Sequence, residues 1–203
     1  MNLLDAYQKL KRLEPLFFTK DAAALLDVTS NYAAIILSKL ARQKTIVHLA
    51  RARWAYSDLV DPLLLPNMLA YPMQAYVSLY SALYYRGMID QIPNTIYAIS
   101  NGKTKVFETP LATISLHSIN SFLFTGYEMI GKSCILMATP EKALFDTLYL
   151  QPVKSNLFKK LTELELPENF NFKVFESWLK LVNNKSRKIM ISGALEKIID
   201  SNR

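Results

Sequence analysis

The stretch Phe18–Tyr56, FTKDAAALLDVTSNYAAIILSKLARQKTIVHLARARWAY, decides how this chain is interpreted. It contains two short helical patterns separated by a break, followed by two β-rich segments that a basic turn connects. No carboxylate occurs between Asp27 and Asp58. This order of elements predicts a winged helix-turn-helix, in which the second helix enters the major groove of DNA.

The first helical pattern follows Thr19. A threonine at the N-cap accepts a hydrogen bond from a free amide of the first turn, and Asp21 lies where the helix dipole favours negative charge. These residues predict a helix over residues 20–26. The helix is expected to end at residues 27–29, which interrupt the apolar periodicity.

The second helical pattern follows Ser30, which is predicted to cap a helix over residues 31–43. Ala33, Leu37 and Leu40 share one face at the spacing i, i+4, i+7, and Ile36 widens that face. Because this apolar face is expected in the core, the other face is free to meet DNA. Four polar residues on or near the free face are predicted to contact bases: Ser30, Asn31, Tyr32 and Ser38.

Two β-rich segments, residues 45–49 and 54–56, are predicted to form a hairpin with a cationic tip. Lys44 and Ala52 stand where such a unit usually has glycine, and both are accommodated at a small cost in backbone strain. Five basic residues of this unit are predicted to contact phosphates or the minor groove: Lys39, Arg42, Lys44, Arg51 and Arg53.

Composition agrees with a polyanionic partner. The chain has 203 residues, 24 Lys+Arg and 17 Asp+Glu, a net charge of +7 that attracts polyanions at long range. The basic excess lies at the two ends of the chain, and residues 59–152 are nearly neutral. One cysteine and two histidines exclude a disulfide framework and disfavour a zinc site, so neither a metal nor a cofactor is expected. The apolar runs are too short to span a membrane, which predicts a cytoplasmic protein.

Two prolines, Pro62 and Pro66, mark the predicted boundary between a DNA-binding domain (1–60) and an α+β domain (61–203). The three leucines between them predict that this segment packs on the second domain. An amphipathic helix stopped by Pro15 is expected to precede the winged unit.

The second domain changes its periodicity from helical to alternating along the chain. A helix is predicted over residues 73–86, ended by Gly87, with a tyrosine stripe on one face. Alternation then predicts strands over residues 95–99, 103–107, 113–117, 122–125 and 135–138, with a turn at Asn101-Gly102. Thr139 and Pro140 are predicted to open a helix through about residue 150. From about residue 153 the tail fits helices over residues 157–164, 172–182 and 189–199.

A P-loop pattern, G-x-x-x-x-G-K-S, occurs at residues 126–133. Glu128 would place negative charge against phosphate, and the residues after Ser133 have the pattern of a strand instead of a helix. A P-loop nucleotide-binding protein is therefore a disfavoured alternative, no catalytic activity is expected, and Gly131 is interpreted as part of a hairpin turn.

The chain resembles the AbiEi-like antitoxins of bacterial type IV toxin–antitoxin systems. The resemblance is carried by the winged unit ending in Arg53-Trp54-Ala55-Tyr56, by Ser78, Ser81-Ala82-Leu83 and Gly87, and above all by ATPEKALFD at residues 138–146. It implies an antitoxin that binds operator DNA, represses its own operon and neutralises a nucleotidyltransferase-like toxin, without requiring a stable complex. A stand-alone winged-helix transcription factor with an effector-binding domain is the other alternative.

Overall fold

A computed structural model describes residues 2–56, 58–150 and 164–201. The fold is mixed α+β and contains a three-stranded sheet and a six-stranded sheet. We call residues 2–56 the N-terminal unit, and residues 58–150 with 164–201 the second unit. Within these ranges, no helix is long and apolar enough to cross a membrane.

The N-terminal unit packs three helices against the small sheet. Its elements are α1 (Leu3–Leu10), β1 (Leu16–Phe18), α2 (Thr19–Leu26), α3 (Ser30–Arg42), β2 (Val47–Ala50) and β3 (Arg53–Ala55). The strand order is β1-β3-β2, and both pairings are antiparallel. The expected N-terminal helix, the two helices after it and the hairpin are therefore confirmed, whereas β1 was not anticipated.

Both helix caps predicted from the sequence are displaced by one residue. The hydroxyl of Thr19 does not cap α2, because it accepts a hydrogen bond from the indole nitrogen of Trp54 (2.8 Å). Asp21 binds the start of α2 instead, and its carboxylate accepts from the Phe18 amide (2.8 Å). At α3 the cap is Thr29, whose hydroxyl accepts from the Tyr32 amide (3.3 Å), and Ser30 is the first helical residue.

Lys44 and Ala52, the two residues that replace the usual glycines, both adopt the left-handed conformation, with φ of 58° and 59°. At the end of α3, the Lys44 amide donates to Ala41 O (3.0 Å) and the Thr45 amide donates to Leu40 O (3.2 Å). This is the hydrogen-bond pattern of a Schellman cap. The chain therefore keeps the glycine-type geometry at both positions and carries the associated strain.

The second unit is built around the six-stranded sheet, with strand order β6-β7-β5-β4-β9-β8. Its strands are β4 (Ala75–Val77), β5 (Thr95–Ser100), β6 (Lys105–Glu108), β7 (Thr113–Ser118), β8 (Tyr127–Ile130) and β9 (Ile135–Ala138). Its helices are α4 (Leu65–Ala70), α5 (Leu79–Tyr85), α6 (Pro140–Leu150), α7 (Phe172–Lys180) and α8 (Lys185–Ser201). The β4–β9 and β5–β7 pairs are parallel, and the other pairs are antiparallel.

Three predictions for the second unit are wrong in part. The helix predicted over residues 73–86 is confirmed only for α5, because residues 75–77 form β4, an interior strand of the sheet. Tyr76 therefore does not share a helical face with Tyr80 and Tyr84. Where a strand is predicted over residues 122–125, the structure has a 3₁₀ turn at Ser121–Leu123. The next strand, β8, begins at Tyr127 and lies at one edge of the sheet.

Other predictions for the second unit are confirmed. Gly87 ends α5 with φ of 69°, and Thr139 caps α6 by accepting from the Lys142 amide (3.3 Å). Gly131, with φ of 66°, lies in the turn between β8 and β9. The segment 126–133 is thus a strand followed by a hairpin turn, and β9, not a helix, comes after it. In the tail, α7 and α8 correspond to two predicted helices, and the helix predicted over residues 157–164 lies almost entirely outside the described residues.

A shared apolar cluster joins the two units. Leu49 and Ala55 of the small sheet belong to the same buried cluster as Ala98, Ile114 and Leu116 of the large sheet, with α4 residues between them. The segment between the two prolines takes part, because Leu65 packs in this cluster and Leu63 packs in the main core of the second unit.

Candidate nucleic-acid interface

An open groove of about 1030 Å³ lies between α3, the β2–β3 hairpin and the start of α2. Five residues predicted to contact DNA line it: Ser30, Asn31, Ser38, Arg42 and Arg51. No carboxylate is among the residues that line it. We call this concavity the groove.

The sequence of α3 places polar residues opposite its core face. Four residues of the helix are buried: Ala33, Ile36, Leu37 and Leu40. At 100° per residue, the direction opposite to them is occupied by Asn31, Ile35, Ser38 and Arg42, all of which are exposed. The flank toward the hairpin carries Ser30 and the small residues Ala34 and Ala41. Because alanine has no side chain beyond Cβ, these residues leave the floor of the groove open.

Besides Arg53, three predicted contacts do not line the groove. Tyr32 and Lys39 lie on the flank of α3 that faces away from the hairpin, and Lys44 lies in the turn after α3. All three side chains are exposed, and Tyr32 retains 44% of its accessible surface. They remain at the edge of the same surface but outside the concavity.

Arg53, which is also predicted to contact DNA, makes hydrogen bonds within the protein and does not line the groove. Its guanidinium donates to the carbonyl oxygens of Met68 (3.1 Å), Tyr71 (2.7 Å) and Arg51 (3.2 Å). Its donors are therefore used to attach the hairpin to α4 and the residue after it. The neighbouring Arg51 is exposed and lines the groove.

The back of the groove is formed by residues that the sequence did not single out for this role. Trp54 is almost completely buried, and its ring lies 4.6 Å from that of His48, centre to centre. The Thr19 amide donates to Ala52 O (3.0 Å), which joins the start of α2 to the hairpin turn. Lys20 and His48 add two polar side chains to the lining. The sequence shows Lys20 as a basic residue in the first turn of α2. Whether its side chain faces the groove depends on how α2 packs against the hairpin.

The second unit contains a fully buried polar cluster beneath α6. Lys142 and Asp146 form an ion pair one helical turn apart, and both side chains are completely inaccessible. The other carboxylate oxygen of Asp146 accepts from Ser78 Oγ (2.8 Å) and from the Tyr76 hydroxyl (3.0 Å). The cluster therefore connects α6 to the interior strand β4, which gives Asp146 a structural role that the sequence did not reveal.

Burial governs the ionisation of this cluster. Removal from water raises the pKa of Asp146, and three hydrogen-bond donors act against that effect by stabilising its carboxylate. Burial likewise lowers the pKa of Lys142, whose ammonium lies 4.9 Å from the centre of the Phe145 ring. Burial, then the nearby Asp146 carboxylate, raises the pKa of Tyr76. None of these groups reaches the surface, so the cluster has the features of a structural site and not of a reactive one.

His117 is the other histidine of the chain and lies in β7. Its Nε2 lies 3.0 Å from Ser115 Oγ, and burial lowers its pKa. Among the described residues, no group of three or more histidine, cysteine, aspartate or glutamate side chains is placed to hold a metal ion.

Comparison with known proteins gives no identification. No family model matches the sequence, and no curated protein matches it.

Proposed function

We propose that the N-terminal unit is a winged helix-turn-helix that binds double-stranded DNA, with α3 in the major groove and the β2–β3 hairpin as the wing. The observation that carries the proposal is the groove, which is wide, free of carboxylates and bordered by Arg42 on one side and Arg51 on the other. Positive charge on both sides of a concavity suits a duplex, because each strand presents a row of phosphates.

Within this proposal, Ser30, Asn31, Tyr32 and Ser38 contact bases. Asn31 has the amide needed for a two-bond contact with adenine, and it lies in the first turn of α3, the part of a recognition helix that reaches base edges. Ser38 Oγ donates to Ala34 O (2.8 Å), so its lone pairs remain for a donor on a base. Lys39, Arg42, Lys44 and Arg51 contact phosphates, and Arg53 holds the hairpin in position.

The test is the affinity for the DNA immediately upstream of the protein's own reading frame, measured over a range of salt concentrations. Replacing Arg42 and Arg51 together by alanine should flatten the dependence of log K on log salt by about 1.8, or roughly 0.9 for each lost phosphate contact. A matched pair, Lys173→Ala with Lys180→Ala on α7, should leave the slope unchanged. If both pairs behave alike, the groove is not the binding surface.

We further propose that the protein is an antitoxin that represses its own operon and neutralises a nucleotidyltransferase-like toxin. Support for this part is the resemblance of residues 15–150 to the AbiEi-like antitoxins, above all ATPEKALFD at residues 138–146. In that segment Lys142 and Asp146 form the buried cluster with β4. By joining α6 to β4, this cluster supports the fold of the proposed antitoxin region.

Co-expression of the full chain with the adjacent reading frame tests the antitoxin proposal. The full chain should restore growth to cells that express the neighbour. The Arg42→Ala, Arg51→Ala variant should still restore growth while losing repression, since the two activities use different surfaces. A neighbour that does not inhibit growth, or a chain that does not relieve the inhibition, contradicts the antitoxin proposal and leaves DNA binding untouched.

An effector-controlled transcription factor is the second candidate, favoured by one observation. A pocket of about 290 Å³ lies between the units, lined by Leu16 and Phe18 on one side and by Ala75 and Leu136 on the other. A small apolar molecule there would contact both units. Such a regulator should release its DNA when the ligand binds, and Leu136→Trp, which fills the pocket, should abolish that response.

A further inference from the structure

His48 stands apart from the other described residues that line the groove, because histidine is the one side chain among them that changes its charge near neutral pH. It lies in β2, and its side chain is exposed. Across the hairpin it pairs with Trp54, and the two rings lie 4.6 Å apart, centre to centre, at an angle of 50°. Trp54 is almost completely buried, and its indole donates to Thr19 Oγ1 (2.8 Å), so it gives the imidazole a fixed support.

The charged groups that share the groove with His48 are all cationic. Lys20 faces the groove from α2, Arg42 from α3 and Arg51 from the hairpin turn. The carboxylate of α2, Asp21, does not line the groove and accepts from the Phe18 amide (2.8 Å). Neither α3 nor the hairpin contains a carboxylate. The described lining therefore offers no anion that would hold a proton on the imidazole before DNA arrives.

We propose that His48 binds a DNA phosphate in its protonated form, so that the groove takes up a proton when it binds a duplex. This inference rests on the proposed DNA binding and adds a chemical condition to it, since the affinity should fall as the pH rises. The ligand class is a phosphodiester on the strand that passes the hairpin.

The direction of the pH effect follows from linkage between protonation and binding. A phosphate within hydrogen-bond distance stabilises an imidazolium, so the complex holds more protons than the free protein. The affinity must then rise as the pH falls through the range in which the free imidazole is deprotonated, by at most about tenfold per pH unit for one proton. The lysine and arginine side chains of the groove stay charged throughout this range and contribute a constant attraction.

His117 provides a contrast within the same chain. It lies in β7 of the second unit, outside the groove, and its Nε2 is 3.0 Å from Ser115 Oγ. Burial lowers its pKa, because removal from water disfavours the charged ring. A phosphate bound in the groove should not change the protonation of His117, which makes it the matched control.

The test uses the full chain and a random-sequence duplex of about 30 base pairs, because a phosphate contact needs no operator. The duplex has 5′-hydroxyl ends, since a terminal phosphate monoester would itself titrate at about pH 6. Fluorescence anisotropy at about pH 6 and about pH 8, over a range of salt concentrations, gives the affinity and the slope of log K against log salt. At the lower pH the unaltered chain should bind about 5–10-fold more tightly, with a slope steeper by about 0.9 for one added phosphate contact.

Three variants separate charge from shape. His48→Gln is polar but has no charge to gain, so both differences between the two pH values should disappear. His48→Arg carries a permanent charge, so its affinity should be independent of pH and should match that of the unaltered chain at the lower pH. His117→Gln should keep the full pH dependence.

Each outcome decides either this inference or the proposed function. If the unaltered chain binds no duplex at either pH, the DNA-binding proposal fails, and the inference fails with it. If the chain binds equally well at both pH values, or if His48→Gln keeps the pH dependence, the inference alone is overturned. It is also overturned if His48→Gln weakens binding by the same factor at both pH values, because His48 then only supports the packing of Trp54. If His48→Gln unfolds at a lower temperature than the parent, His48→Arg decides by whether its affinity depends on pH.

Discussion

The groove beside α3 and the cluster beneath α6 use polar side chains in opposite ways. In the groove, Asn31, Arg42 and Arg51 are exposed and face an open concavity. Beneath α6, Lys142 and Asp146 are completely buried and bound to each other. An exposed charge contributes little to stability, whereas a buried charge that loses its partner costs several kcal/mol. Substitutions in the groove should therefore reduce binding and spare folding, and substitutions in the cluster should do the reverse.

The largest effect is expected from Asp146→Ala. This change leaves the Lys142 ammonium buried without its counter-charge and removes the acceptor of Ser78 and Tyr76, so the free energy of unfolding should fall by about 3–5 kcal/mol. Urea unfolding followed by circular dichroism measures it. Asp90→Ala, at an exposed carboxylate, should change stability by less than about 0.5 kcal/mol. Equal effects of the two substitutions would show that the buried cluster does not stabilise the fold more than an exposed carboxylate does.

A smaller effect is expected from Gly126→Ala, which tests how tightly the cluster is packed. Gly126 has φ of 76°, and a Cβ there would lie 2.4 Å from the Trp178 ring and 3.1 Å from Lys142 Cδ. Overpacking and left-handed strain together should cost about 2–4 kcal/mol.

Gly131→Ala is the matched control, because φ is 66° and nothing lies within 4 Å of its Cβ position. It should cost only the strain of a left-handed alanine, about 1–2 kcal/mol. Thermal unfolding of the two variants gives the difference. If the Gly131 variant is the less stable of the two, the contact of Gly126 with Trp178 has no energetic weight.

Two neighbouring arginines of the hairpin, Arg51 and Arg53, should affect different properties when they are replaced. Arg53→Ala removes three hydrogen bonds to backbone carbonyls, so it should lower the free energy of unfolding by about 1–2 kcal/mol, a discounted value because the side chain is partly exposed. Arg51→Ala should leave stability within about 0.5 kcal/mol and instead flatten the salt dependence of DNA binding by about 0.9. Chemical unfolding and anisotropy titrations on both variants would show whether the two properties separate in this way.

The smallest effect is expected from Ala52→Gly at the hairpin tip. Glycine removes the strain of φ 59°, and the gain is partly offset by its greater freedom in the unfolded chain, so stability should rise by about 0.5–1 kcal/mol. The same substitution at Ala24, exposed on α2, should lower stability by about 0.5–1 kcal/mol. Melting temperatures that shift in the same direction for both variants would contradict the strain assigned to the tip.

The N-terminal unit could be predicted from the sequence because its signals are local. The 3.6-residue period of Ala33, Leu37 and Leu40, the break after Leu26 and the β-rich pair that follows depend on residues close together in the chain. The cap of α2 was missed by one residue because the hydroxyl of Thr19 is used in a tertiary contact, as the acceptor of the Trp54 indole. The hydrogen bonds of Arg53 could not be predicted for the same reason, since two of its carbonyl partners lie 15 and 18 residues further along the chain.

The second unit was harder to predict because its sheet is not built from neighbours in sequence. Ala75-Tyr76-Val77 extends the helical pattern of α5, yet pairing with β5 on one side and β9 on the other makes it a strand. The helix predicted at α6 is correct because its signal is local, but the role of its ion pair depends on Tyr76 in β4 and on Ser78, the residue after β4. The cluster could therefore not be predicted before the strand order of the sheet was known.

The apolar cluster shared by Leu49, Ala55, Ala98 and Ile114 has a consequence for how this protein can be dissected. A chain cut near Asp58 would expose the apolar side chains of this cluster on both fragments. The fragments would then tend to aggregate or to bind each other. Heat should accordingly melt the intact molecule in one step. Point substitutions in the whole polypeptide are better suited than truncations for assigning its separate tasks.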